Sequence, residues 1–201
     1  MDRKLLLVGA ASFLLIGAAV LFSILFAKPA SFRGTAYGEP FLPAPVIELQ
    51  QANGEIFRLS GQTGRVVLIF FGFTSCPDVC PTTLAELNIA LNEMNARPQD
   101  VQVIFVSVDP ERDTPEKIQE YVERFNQSFI GLSGSLEELQ PIWQSYGVFR
   151  EIVPGSTALD YTVNHTARVI LIDSQGNMRL SYGFQTPPED IAHDIDILLD
   201  K

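Results

Sequence analysis

Two residues carry the most reactive side chains in this sequence. Cys76 and Cys80 lie in "FFGFTSCPDVCPTTL", residues 70–84, and are the only cysteines of the chain. Thiolates are nucleophiles and soft metal ligands, so the pair offers disulfide exchange or the binding of copper(I) or zinc. A structural staple is the weaker use, because a loop with three intervening residues closes little chain entropy. Each cysteine precedes a proline, which disfavours helical backbone at that residue. The motif therefore reads as loop or first turn rather than helix interior. In a regular helix the two β-carbons would stand about 5–6 Å apart. A disulfide prefers about 3.5–4.5 Å. The pair is near enough to share an ion, and a disulfide between them needs local adjustment. "PTTL" after Cys80 reads as a helix start, and the partial positive charge there lowers a thiol pKa. Structural zinc wants four protein ligands, and no second cysteine pair exists.

The elements that must position this pair follow from the hydrophobic patterning. "RVVLIFFGF", 65–73, and "VQVIFVSVD", 101–109, are continuous apolar runs that fit buried central strands. Between them Leu84, Leu87, Leu91 and Met94 recur at helical spacing. "DTPEKIQEYVERF" begins a second helix with Asp113 or Thr114 as cap, and "FIGLSG" reads as a third strand. Ser135 and Glu138 form a capping box ahead of a third helix, in which Pro141 predicts a kink or a later start. "ARVILID" and "MRLSYGF" flank the turn "DSQGN", and Thr186 with Glu189 caps a last helix. An earlier hairpin is expected around Asn53-Gly54, read as a two-residue turn. Alternating β and α elements followed by a hairpin and helix give an α/β fold, a thioredoxin-like three-layer sandwich. Cys76 then lies just past the carboxyl end of a central strand, where open α/β sheets gather their chemistry.

That plan gives the histidines different weights. His193, in "EDIAHDID", falls outside the apolar face of the last helix and reads as solvated. His165 precedes the strand "ARVILID". In thioredoxin-like proteins the loop at this place faces the cysteines and usually carries a cis-proline, yet no proline occurs between Pro154 and Pro187. Cys76, Cys80 and His165 can then converge as S,S,N ligands, a set that suits copper in either oxidation state better than closed zinc. Asp109, at the end of the second strand, either tunes that site as an outer-shell group or belongs to an Asp-Pro turn. Asp78 reads as exposed. Arg168 is the arginine to check for peroxide chemistry, the weakest of the readings.

Composition bounds the partners. The 201 residues carry a net charge of −10 with scattered basic residues, which excludes nucleic acid as a partner. Residues 1–4 are a short charged start. Leu5 to Ala27 is an uncharged apolar run, longer than the roughly 20 residues a bilayer-spanning helix needs. It reads as an N-terminal transmembrane helix, an uncleaved anchor through the membrane. Arg3 and Lys4 point to an N-terminus in the cytoplasm, with Lys28 and Arg33 on the far side weighing against that charge pattern. Residues 28–45, rich in Pro, Gly and Ala, read as a linker, and 46–201 as the thioredoxin-like domain. No transit peptide precedes the anchor, so the expected place is a bacterial inner membrane with the domain in the periplasm.

The stretches "FTSCPDVCPTTL", "VSVDPERDTPE", "YVERF…IGLSG" and "YTVNHTARVILIDSQG" together resemble the Sco/SenC family across about residues 40–200. The resemblance implies one copper ion held by Cys76, Cys80 and His165. It implies a membrane-anchored chaperone, not a turnover enzyme, that receives copper from a donor protein and supports assembly of the CuA centre of cytochrome c oxidase subunit II. The alternative is a thiol–disulfide oxidoreductase that keeps the cysteines of that centre reduced. Asn164 departs from the Asp that many relatives carry before the histidine.

Overall fold

The apolar run after Arg65 becomes β4 (Val66–Gly72), buried at every residue. β5 (Val101–Ser107) is equally buried and pairs with β4 in parallel, Val66 beside Val101 and Gly72 beside Ser107. Strands covered on both faces show continuous apolar runs instead of alternation, which is why both are legible from sequence. The structure, a computed structural model, describes residues 16–17, 31–95, 98–155 and 160–199, and residues 32–201 form one compact unit. The other strands are β1 (Thr35–Ala36), β2 (Glu48–Gln50), β3 (Ile56–Arg58), β6 (Ile130–Leu132), β7 (Arg150–Pro154), β8 (Tyr161–His165), β9 (Val169–Ile172) and β10 (Met178–Tyr182). A six-stranded sheet has the order β1-β10-β9-β4-β5-β6. β4, β5 and β6 run parallel, whereas β9, β10 and β1 each join antiparallel to their neighbour.

The pleat of β4 shows how the layers form. Phe70 and its register partner Phe105 lie ring to ring at 5.6 Å, and Phe105 meets Tyr121 of α2 (Pro115–Glu123) at 5.8 Å. Phe71 points to the opposite face and meets Tyr146, which follows α3 (Leu136–Ser145), at 5.4 Å. Helices thus cover both faces, as the three-layer expectation requires. α1 (Val79–Glu93) buries Leu84, Leu87 and Leu91, and it packs beside α4 (Pro188–Leu199), which buries Ile191, Ile195 and Leu198.

The helix starts are read off partly right. Thr114 caps α2 by accepting from Lys117 N, with Pro115 behind it, while Asp113 turns inward. Both hydrogen bonds of the Ser135–Glu138 box are made, and α3 begins directly at Leu136, so Pro141 does not delay it. The box expected at Thr186 and Glu189 is absent: Thr186 donates its hydroxyl to Gly183 O, and α4 starts at Pro188. β2 and β3 do pair as a hairpin, but its loop runs from Gln51 to Glu55, closed by Gln51 N to Glu55 O, with Gly54 at φ +86°. Asn53-Gly54 is therefore not a two-residue turn.

The larger correction concerns the expected linker. β1 lies within it and forms the sheet edge, Thr35 beside Ser181 and Ala36 beside Leu180. Leu42 O and Gly176 O continue that pairing with Met178 N and Ala44 N. The strap is fastened by Asp194 of α4, which is fully buried and accepts from Arg33 N, Gly34 N and the Tyr182 hydroxyl. A buried carboxylate with these partners was not foreseen, because in sequence it is one acid among several in an acidic helix. His193 is half-buried rather than solvated, its Nδ1 3.0 Å from Asp194 Oδ1. The expected anchor, 5–27, lies outside the described residues apart from Ile16 and Gly17; among the described residues no helix is long and apolar enough to cross a membrane.

Removing Asp194 strands the hydrogen bonds that hold the strap. Asp194→Ala is expected to lower the unfolding free energy by about 2–3 kcal/mol, the scale of buried hydrogen bonds to a charged group. Urea denaturation followed by circular dichroism measures it; an unchanged midpoint would show that the strap contributes nothing.

Candidate functional site

β4 ends at a residue that must be small. A β-carbon on Gly72 would stand 2.5 Å from Phe105 Cε2 and 2.8 Å from Cys80 Sγ, so the bare strand leaves room for that sulfur. Val108 N donates to Gly72 O at 2.8 Å, which keeps the loops after β4 and β5 side by side. Asp113, 1% exposed, crosses between them. It accepts from Thr74 N at 3.1 Å, from the Thr74 hydroxyl at 2.6 Å and from the Ser107 hydroxyl at 2.9 Å. Burial pushes its carboxyl up in pKa, against the pull of the Thr74 and Ser107 bonds. Asp113 thus holds the segment that leads to the cysteines.

α1 begins at Val79, so Cys80 is its second residue and Cys76 stands in the loop ahead of it, as the two prolines suggest. Both thiols are free, Cys80 buried and Cys76 half-exposed. Cys80 N lies 3.4 Å from Cys76 Sγ. The Cys76 pKa is lowered to about 6: the Cys80 thiol donates to it, burial opposes, and the backbone N–H groups of Asp78, Cys80 and Val79 add donors at the helix start. Cys80 moves the other way. It holds the shared proton for Cys76, and its burial and the neighbouring negative charge reinforce that. At neutral pH the pair is one thiolate and one thiol, with the charge on the accessible sulfur.

His165 arrives on an element that sequence reading did not identify. β7 and β8 form a separate antiparallel hairpin, with His165 as the last residue of β8 and Arg150 as its register partner. The imidazole Nδ1 lies 3.1 Å from Thr166 O. A carbonyl only accepts, so Nδ1 carries the proton and Nε2 keeps a free lone pair. Burial lowers the His165 pKa and the bond to Thr166 opposes this, which leaves the ring neutral at pH 7. The ring meets Phe73 edge-on at 5.8 Å. Among the described residues, no three His, Cys, Asp or Glu side chains stand close enough together to hold a metal ion. Cys76 and Cys80 are brought together, then, and His165 is set against Phe73 beside them rather than joined to them.

The remaining candidates divide. Asp109 is fully buried; its carboxylate pairs with Arg112 and accepts from the Tyr161 hydroxyl, while its carbonyl accepts from Arg112 N and Asp113 N. It is both a turn residue and a tie to the strand that carries His165. Asp78 is exposed, with its carboxylate 3.4 Å from the Thr82 hydroxyl, and Asn164 is exposed on the outer face of β8. Arg168 is exposed and donates to Ser181 on β10, which gives peroxide chemistry no support. Asp113, Arg112 and Tyr161 were missed as site residues. The run "VDPERD" signalled polar residues at a strand end, but nothing in it told which of them turn inward.

A thiolate–thiol pair at a helix start, just past a central strand of a sheet covered on both faces, defines a thioredoxin-like protein. Comparison with known proteins narrows the class. The sequence profile of the SCO1/SenC family matches residues 38–200. A SCO2-like protein of Rickettsia felis is 33% identical over 183 residues, covering 89% of each chain. The structure of Bradyrhizobium japonicum ScoI with copper bound is similar with a TM-score of 0.71 at 37% identity, over 79% of this chain and 100% of that one. The solution structures of apo Sco1 from Thermus thermophilus give a TM-score of 0.70 at 40% identity, over 85% and 94%. This chain belongs to the SCO1/SenC family.

In the reduced, metal-free protein, alkylation of Cys76 by iodoacetamide is expected to rise with pH around a midpoint near 6, because the thiolate reacts. Cys80→Ala removes the leading cause of that depression, so the midpoint moves up toward the roughly 8.5 of an ordinary thiol. A midpoint that stays in place in Cys80→Ala would assign the effect to the helix start alone.

Proposed function

We propose that this protein binds one copper ion as cargo through Cys76, Cys80 and His165 and supports assembly of the CuA centre of cytochrome c oxidase. The observation that carries the reading is the donor set. Cys76 is a thiolate at neutral pH, Cys80 shares its proton with it, and His165 is neutral with Nε2 free. Two soft sulfurs and one imidazole nitrogen match copper chemistry, and the copper-bound ScoI structure of B. japonicum supports the same cargo. Bound there, copper would replace the proton that the two sulfurs share; His165 would complete the set by moving from Phe73 toward the sulfurs. In this reading residues 5–27 anchor the chain in a bacterial inner membrane and the domain faces the periplasm. Its partners are a copper donor protein and the CuA domain of oxidase subunit II.

Titration of the full-length protein in detergent with Cu(I) and with Cu(II) tests the ligands. His165→Ala is expected to weaken Cu(II) binding by at least about 10-fold, the scale on which even outer-shell partners of a metal ligand act. Cys76→Ser is expected to abolish the thiolate-to-copper absorption. Unchanged affinity and absorption in His165→Ala would remove the histidine from the site.

A second reading, reduction of the disulfide of a CuA-type domain, is favoured by the asymmetry of the pair. The accessible Cys76 thiolate attacks the target disulfide and releases one target thiolate. Cys80 then gives up its proton and attacks the mixed disulfide, which releases the second and leaves a Cys76–Cys80 disulfide. Two electrons pass from this chain to the target. Rapid-quench mixing of the reduced protein with an oxidised CuA domain measures the exchange; no mixed disulfide in Cys80→Ala would exclude it.

A further inference from the structure

Among the described residues, the hydrogen bonds that tie the hairpin carrying His165 to the rest of the domain reach one short loop. Tyr161, Val163 and His165 alternate on the inner face of β8, and Val163 is buried. The Tyr161 hydroxyl donates to Asp109 Oδ1 at 2.7 Å. Arg112 pairs with the other oxygen of Asp109, donates from Nη1 to Tyr161 O at 2.9 Å, and lies 3.7 Å over the Tyr161 ring. The same guanidinium stands 5.7 Å from the centre of the Phe73 ring, which His165 meets edge-on. On the other strand Arg150, the register partner of His165, donates to Val108 O at 2.6 Å and to Glu111 at 3.0 Å. These hydrogen bonds and ion pairs end on residues 108–112, the loop after β5. A two-stranded hairpin is marginal by itself in water, so its position depends on what fastens it. Arg112 Nη2 is buried without a hydrogen-bond partner. The guanidinium is held where it serves Tyr161 and Asp109, not where its own donors are all met.

We propose that Tyr161 and Arg112 are positioning residues which, through Asp109, set where His165 stands relative to Cys76 and Cys80. The inference rests on the copper reading only for its second readout. The contrast is with a staple that stabilises the domain and leaves His165 indifferent. Tyr161→Phe separates the two, because it keeps the ring over which Arg112 lies and removes one O–H. Arg112→Lys keeps the charge and removes the fork and the planar stack.

The test uses full-length protein in detergent and two measurements. In the metal-free state, imidazole 15N resonances and amide exchange are compared with wild type. Tyr161→Phe and Arg112→Lys are expected to shift the His165 resonances, leave those of His193 in place, and speed exchange at 161–165 by about 10-fold or more. His165 resonances and exchange rates equal to wild type in both variants overturn the proposal, whatever copper does. In the copper-bound state, Tyr161→Phe is expected to weaken Cu(II) binding several-fold, change the hyperfine pattern of its paramagnetic resonance, and cost nothing more in a His165→Ala background. An equal loss in both backgrounds assigns Tyr161 a general structural role and overturns the proposal. If His165→Ala alone leaves copper binding unchanged, the ligand reading fails, and the metal-free comparison still decides the positioning role.

Discussion

The parallel register of β4 on β5 is the constraint from which the rest of the site follows. It sets Gly72 beside Ser107, so the two loops that leave the sheet, one toward the cysteines and one through Asp109 and Asp113, depart from adjacent points on the same edge. Only then can one buried carboxylate, Asp113, bind the backbone of Thr74 and the hydroxyl of Ser107 together. A slip of one residue would turn every side chain of β4 to the other face. Gly72 would no longer lie under Cys80 Sγ, and a phenylalanine would stand there instead. Seven consecutive buried positions on each strand make that register costly to leave.

The edge so formed separates two kinds of control. Cys76 and Cys80 are controlled locally: a thiol donor, a helix start and partial burial act within five residues and fix which sulfur carries charge. His165 is controlled at long range, through a hairpin whose ties span 39 to 52 residues back to the loop after β5. The difference matters chemically. The sulfur pair is assembled by the same backbone that builds the fold, whereas His165 stands on a separate two-stranded element. If His165 joins the thiols as proposed, such a site keeps its thiols poised while the third group is adjusted independently.

The same division explains what could be read from the sequence. The central strands, α1 to α3 and the cysteine loop were legible because each is written in a local pattern: an apolar run, a 3.6-residue period, a proline after a cysteine. The place of His165 rested on an analogy of fold, and its element, β7 with β8, carries no such pattern. Its strands are half-exposed, and "REIVP" and "YTVNH" are polar enough to pass for loop. Asp194 was indistinguishable from a surface acid in a chain of net charge −10, and Asp109 stood out only as an outer-shell group or a turn residue, with no sign of its burial. What buries them is the strap that reaches α4 and the ring of Tyr161, both distant in sequence. The linker reading failed for the same reason. Proline- and glycine-rich composition describes a chain without regular structure of its own, and it is silent about whether a neighbouring edge strand will take it up.

Metal binding, as proposed, and disulfide exchange would compete for a single resource in this geometry, the two sulfurs that share a proton. With the proton in place Cys76 is a nucleophile and Cys80 a reserve thiol. In the proposed function a soft cation would displace that proton, and the two thiolates would serve as its ligands, unavailable to attack. Oxidation removes the proton as well and leaves neither a ligand nor a nucleophile. The three states exclude one another on the same two atoms, so the two proposed roles would compete at Cys76 and Cys80. The half-exposed sulfur of Cys76 would be the point of entry for both, and in the proposed copper site the hairpin beside it would supply the nitrogen that favours the metal.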